Sequence, residues 1–298
     1  IIKDKYFMAI SALQLETWSH QGSITNSAAT ANAIKDAINS YKYFPAGVSF
    51  DVYLSGSYKN DTNIYGESDV DVVVELTSSF FNNLSEEQKR SFNFVTAEYG
   101  YYDFKSDVIK CLKDYFTPKL IEEGKKAVKV YPPYTNRLHA DVLICSTYRL
   151  YTSVANVNSF HKGVAFRRSD NNIQVVNFPK YHSTNDTLKH QRTSSYFKPT
   201  IRIIKNMRSN LIDHGVIDKK LAPSYFIECL LYNVPDSNFN TNYSRSVYNV
   251  LNYLHNSGWD DFKCVNGITP LWGTTTETWD QVSARKFLSA IIKKWNNS

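Results

Sequence analysis

Apolar positions recur at three- and four-residue steps over 4–20 and 25–41, and both segments read as helices. In the first, Tyr6, Phe7, Ile10, Leu13 and Trp18 make a broad apolar stripe. In the second, Thr25 or Asn26 is placed to cap, and Ala28, Ala31, Ile34 and Ile38 follow on one face. Pro45-Ala46-Gly47 ends this pattern, and the period then falls to two. The segments 48–54 and 69–76 alternate as strands, with Gly56 and Ser57 opening a polar loop that ends near Gly66. A helix over 103–118, a short strand over 127–131, a turn at Pro132-Pro133 and a strand over 137–145 follow. The segment 157–180 reads as irregular loop with short extended pieces.

After Pro179 the character changes. Lys198-Pro199 opens a long helix with Ile201, Ile204, Met207 and Leu211 on its inner face. Pro223 introduces a helix over 224–233, and 243–256 and 278–295 keep the helical period. The predicted order is a helix pair, a mixed sheet and a helical second half, an α+β chain divided into 1–178 and 179–298.

The 298 residues suffice for one large domain or two intimate subdomains with a sizeable core. No run of 18 apolar residues exists, so no membrane span is expected. The start, Ile1-Ile2-Lys3-Asp4-Lys5, has neither an initiator Met nor a signal peptide's apolar run, and reads as a trimmed, soluble protein. Cys111, Cys145, Cys229 and Cys264 are too scattered for a zinc site and suit a reducing cytosol. Net charge is +6, but 161–220 alone carries 12 Lys/Arg against 4 Asp. Such a stretch reads as a phosphate-facing surface or as a solvated face.

The chemistry concentrates in Ser55-Gly56-Ser57 followed about a dozen residues later by Asp69-Val70-Asp71-Val72-Val73-Val74. Alternation puts Asp69 and Asp71 on one strand face and Val70, Val72 and Val74 on the other. Adjacent carboxylates repel each other, and hard oxygen ligands at this spacing suit Mg2+ or Mn2+. Gly56 lets the backbone approach a phosphate, and Ser57 with neighbouring N–H groups can donate to it. In the strand over 137–145, Arg137, His139 and Asp141 share a face opposite Leu138, Ala140, Val142 and Ile144. Asp141, polar within an apolar strand, needs a partner, and a metal shared with Asp69 and Asp71 supplies one. Together these parts define a nucleoside-triphosphate site with two metal ions.

At these residues the sequence resembles the polymerase-β-like nucleotidyltransferases. More narrowly it resembles the CD-NTase family, bacterial cyclic-oligonucleotide synthases related to cyclic GMP-AMP synthase and oligoadenylate synthase. The narrower likeness rests on Phe178-Pro179-Lys180-Tyr181-His182, Phe197-Lys198-Pro199-Thr200-Ile201-Arg202-Ile203-Ile204-Lys205 and Ala222-Pro223-Ser224-Tyr225-Phe226-Ile227-Glu228, and it runs from about Trp18 to about Pro235. It implies a nucleotidyltransferase core with N-terminal helices over 1–178 and a lid and donor-pocket subdomain over 179–298. It also implies a cytoplasmic, monomeric, non-membrane enzyme that condenses ATP, GTP or UTP into a cyclic di- or trinucleotide messenger in anti-phage signalling. Two Mg2+ or Mn2+ ions are implied as cofactors, and an RNA or a regulatory protein as activator.

Carried over by position, Lys205 contacts the triphosphate, Ser224 helps to hold it and Tyr225 stacks on the donor base. Lys205 shares a helix face with Arg202 and Arg208, and a Ser-Tyr pair after a helix-starting Pro presents a hydroxyl and an aromatic plane from one turn. Asn177 shares a face with Val175, opposite Val176 and Phe178; facing a pocket it can match a uracil edge, and as a turn residue it would satisfy local backbone. The chain departs from the family in having Asp61-Thr62 where Gly-Thr is common, and in lacking the zinc insertion of the animal enzyme. Two other functions stand beside cyclic synthesis: a linear transferase adding nucleotides to RNA or protein, and an inactive nucleotide-binding module.

Overall fold

The computed structural model describes residues 2, 10–22, 25–66, 69–131, 139–275 and 277–297. Its helices are α1 (Ala12–Ser19), α2 (Thr25–Ser40), α3 (Gly56–Lys59), α4 (Glu86–Ser91), α5 (Tyr101–Phe116), α6 (Pro179–Arg192), α7 (Phe197–Asp213), α8 (Ser224–Tyr232), α9 (Tyr243–Asn256) and α10 (Gln281–Asn297). The strands are β1 (Phe50–Leu54), β2 (Val70–Asn82), β3 (Ile121–Glu123), β4 (Val128–Val130), β5 (Ala140–Tyr151), β6 (Phe160–Arg167) and β7 (Gln174–Asn177). They fall into two compact units, 24–58 with 68–179, and 1–23 with 59–67 and 180–298. The division read from the sequence is thus redrawn: 1–23 and the loop 59–67 belong with the helical half.

The first unit is a seven-stranded mixed sheet in the order β1-β2-β5-β4-β3, with β6 on β5 and β7 on β6. Only β2 and β5 are parallel among these pairs, and a bulge interrupts their register between Leu76 and Phe80. One face carries Val70, Val72, Val74 and Leu76 beside Ala140, Val142 and Ile144. It packs on Ile34 and Ile38 of α2 and Phe104, Val108 and Leu112 of α5. Each of the Val, Leu, Ile and Phe side chains contributes about 1.5–3 kcal/mol by leaving water, which fixes the register and turns the intervening residues to the other face. Half of the segment 157–180 is not irregular: it forms β6 and β7, a hairpin extending the sheet. Pro132-Pro133, Arg137, Leu138, Tyr6 and Phe7 lie outside the described residues. Leu13 is exposed rather than part of an inward stripe.

The second unit packs α7 to α10 around Ile201, Ile204, Met207, Leu211, Phe226, Leu230, Leu251 and Phe287, with Leu15 of α1 joining them. Its interior is also polar. Lys205 is fully buried on Glu228, Nζ to Oε1 2.8 Å, and donates to the Thr62 carbonyl at 2.9 Å. The Thr62 hydroxyl donates to Glu228 at 2.7 Å, and His182 Nε2 lies 3.2 Å from its other oxygen. Lys198 bridges Asp61 at 3.1 Å and Asp186 at 3.3 Å, while Arg202 donates to the Asp61 carbonyl. Asn60, Asp61 and Thr62 are therefore pinned by side chains of α6, α7 and α8. Of the basic residues in 161–220, Lys189, Lys198, Lys205 and Arg208 are buried, while Lys162, Lys180, Arg192, Lys219 and Lys220 are exposed. All four cysteines are buried. No described helix is long and apolar enough to cross a membrane.

Candidate active site

The register of the parallel pair sets Asp71 opposite Asp141. Both side chains leave the sheet on the face away from α2 and α5, because the flanking valines occupy the other. Asp69, just before β2, lies 3.9 Å from His139 Nδ1, and the Val70 N–H donates to the His139 carbonyl at 2.8 Å. Burial, and then the charge of Asp69, push the Asp141 carboxyl above its ordinary range; Lys129 and His139 pull the other way. Lys129 is the register partner of Asp141 on β4. The set fits a hard cation: its donors are carboxylate oxygens, and the excess negative charge that raises Asp141 is what a divalent ion relieves. Among the described residues, no three His, Cys, Asp or Glu side chains are already closed into a ligand cage. Backbone register brings these aspartates together.

Gly56 has φ +63°, and a Cβ built on it would stand 1.9 Å from Asp71 Oδ2. The glycine is thus needed twice, for its left-handed backbone and for the carboxylate packed against it. The Ser55 N–H also donates to the Asp71 carbonyl at 2.9 Å. Ser57 sits half-buried in the helical turn α3, where the sequence suggested open loop. Gly56→Ala should displace Asp71 and lower turnover by about 10²-fold, the scale of an ångström misplacement, with little change in far-UV dichroism. Steady-state rates on equal amounts of folded protein check this.

Asn177 ends β7 opposite Val164, which itself pairs with Thr147 of β5. By alternation it shares the sheet face of Asp71 and Asp141, but at the rung of Thr147, six residues beyond Asp141. It is partly exposed, and its neighbour Phe178 is buried. A Cβ on Gly163 would meet the Asn177 carbonyl at 2.7 Å and the Phe178 ring at 2.8 Å, so this glycine seats the segment. On the same face, Glu75 is fully buried and accepts from Thr147 Oγ1 at 2.7 Å and from the Tyr53 hydroxyl at 3.0 Å. Sequence reading passed over Glu75, although it continues the Asp69, Asp71 alternation into a run of valines.

Lys205, Ser224 and Tyr225 belong to the helical unit. Lys205 is held inside it by Glu228 and Thr62. Ser224 is the first residue of α8 behind Pro223. The Tyr225 ring packs against His182 and Trp279, with centroids 5.1 and 5.6 Å away, and burial raises its hydroxyl well above the ordinary value.

A mixed sheet backed by helices, with in-register carboxylates beyond a glycine turn, is the core of a polymerase-β-like nucleotidyltransferase. Residues 184–296 match the cGAS/DncV-like nucleotidyltransferase C-terminal helical domain. The chain is 44% identical over 289 residues to the cyclic UMP-AMP synthase of Rhodothermus marinus, covering 97% of this chain and 98% of that protein. It is 36% identical to the cyclic nucleotide synthase CdnE01 of Staphylococcus haemolyticus, covering 97% and 99%. The solved structure of the Rhodothermus marinus CdnE c-UMP-AMP synthase with Apcpp and Upnpp superposes with a TM-score of 0.90 over 96% of both chains. The chain belongs to the CD-NTase family of cyclic nucleotide synthases.

Proposed function

We propose that this chain joins ATP and UTP into a cyclic dinucleotide, with Asp69, Asp71 and Asp141 as its metal ligands. The observation that carries the reading is the register of Asp71 against Asp141, with Asp69 close enough to raise the Asp141 carboxyl. Two divalent cations, Mg2+ or Mn2+, would supply charge neutralisation and a more acidic attacking hydroxyl when bound. The chain's own part is positioning. Gly56 keeps the turn against Asp71, and Ser57 offers a hydroxyl to phosphate. A ribose hydroxyl of one nucleotide attacks the α-phosphorus of the other; the new O–P bond replaces the bond to pyrophosphate, and a second such displacement closes the ring. A role in anti-phage signalling belongs to the same proposal and rests on the family resemblance.

The choice of ATP with UTP is supported by the 44% identity to a cyclic UMP-AMP synthase across almost the whole chain. Relatives at 34% identity include a dipurine and a dipyrimidine synthase, so base choice varies among relatives of this chain. Asn177 is our candidate for reading uracil: its amide donates and accepts, as the uracil edge does. Competition among ATP, GTP, CTP and UTP tests this. Asn177→Ser is expected to lower uridine incorporation by about 5- to 150-fold, the equivalent of a lost hydrogen bond worth ~1–3 kcal/mol. Unchanged incorporation by an active variant would remove Asn177 from base reading.

A further inference from the structure

Glu75 is a buried carboxylate that the proposed reaction does not use. It lies on β2 four residues beyond Asp71, on the same face by alternation, and is fully inaccessible to solvent. Placing a carboxylate there costs solvation unless it is matched by donors. The Thr147 and Tyr53 hydroxyls supply two, and burial followed by Glu75 itself holds the Tyr53 phenol well above its ordinary pKa, as a donor. The third partner is Lys162 of β6, whose Nζ stands 3.6 Å from Glu75 Oε1 while its side chain stays 46% exposed. Glu75 is on β2 and Lys162 on β6, with β5 between them. The Lys162 side chain therefore reaches across β5 over the sheet face toward Glu75.

Lys162 is two residues from Val164, the register partner of Asn177, so it is a diagonal neighbour of Asn177 on one face, a spacing within reach of long side chains. We infer that Lys162, presented by Glu75, is a second base-selecting residue, donating to the keto oxygen of the nucleobase that Asn177 contacts. This rests on the uridine reading above. A lysine ammonium donates and cannot accept. It matches O4 of uracil or O6 of guanine, and it opposes the exocyclic amine that cytosine and adenine present at that position. Uracil and cytosine differ there, so their discrimination isolates the contact.

The test compares UTP with CTP in competition, and the binding of non-hydrolysable UTP and CTP analogues, for wild type, Lys162→Met, Lys162→Arg and Glu75→Gln. Lys162→Met is expected to cut the UTP-over-CTP preference by about tenfold or more, in incorporation and in analogue binding, with KM for ATP unchanged. Lys162→Arg, still a donor, should keep most of the preference, and Glu75→Gln should lose part of it by releasing the ammonium. Equal weakening of all triphosphates would make Lys162 a phosphate contact and overturn the inference. So would unchanged preference with a lowered melting temperature, which would make it only the counter-ion of Glu75. If Lys162→Met does not fold, the Arg and Gln variants decide by the same ratio. Analogue binding needs no turnover, so a wild type that discriminates UTP from CTP yet forms no cyclic product would sink the proposed reaction and leave this inference standing.

Discussion

Lys205→Ala is expected to destabilise the protein by about 3–5 kcal/mol, the cost of leaving a buried carboxylate without its partner. At a few degrees per kcal/mol, that lowers the melting temperature by roughly 10 °C. The reason is Glu228, whose Oε1 is 2.8 Å from the Lys205 ammonium inside the helical unit. Burial alone would raise the Glu228 carboxyl, but Lys205 and His182 hold it at about 2, against an ordinary 4.5. The unfolded chain then takes up this proton at higher pH than the folded one. The stability Glu228 contributes is complete above about pH 4.5 and is lost as pH falls toward 2. Asp186, raised to about 6 by burial and by Glu228, slopes the opposite way between about 6 and its ordinary 3.8. Glu228→Gln should therefore remove an acid-side loss of stability that Asp186→Asn leaves in place. Thermal denaturation across pH 3–6 for the two variants separates them. A Lys205→Ala protein that melts like wild type would show that the buried pair contributes nothing.

Replacing Asp69 and Asp71 together by asparagine is expected to lower product formation by at least on the order of 10³-fold, since two of the three carboxylates proposed to hold the charge-neutralising cations are lost. The fold should persist. Asparagine has nearly the same shape, Asp69 is half exposed, and the valines that lock β2 into the core are untouched. Product yield alongside melting temperature checks both halves. A folded double variant with wild-type yield would end the assignment of these residues.

Much of this was legible because the relevant signals are local. A strand of alternating Asp and Val states its own faces, and Asp141 within an apolar strand calls for a partner on the neighbouring one. Gly56 before a polar segment marked the turn, although the contact requiring it, with Asp71, is a tertiary one. The hairpin β6-β7 was missed since Lys162, Gly163 and Arg167 interrupt any alternation, while Gly163 through Phe166 are all buried. Helix α6 escaped notice because the residues it buries are His182, Asp186 and Lys189, which give no apolar period. The direction of the basic helix α7 could not be read locally: Thr62, which receives the Lys205 ammonium, lies 143 residues earlier. A cationic face looks the same in sequence whether it meets phosphate, water or a buried glutamate.

The central claim is that this chain makes a cyclic dinucleotide from ATP and UTP. It is tested most directly by incubating the purified protein with both nucleotides and Mg2+ or Mn2+, removing terminal phosphates with phosphatase, and resolving what survives by mass. The account predicts a phosphatase-resistant product with one uridine and one adenosine monophosphate unit and no free end. A product that phosphatase converts entirely to linear dinucleoside or longer chains, or none under conditions where the protein is folded and binds both nucleotides, would contradict it.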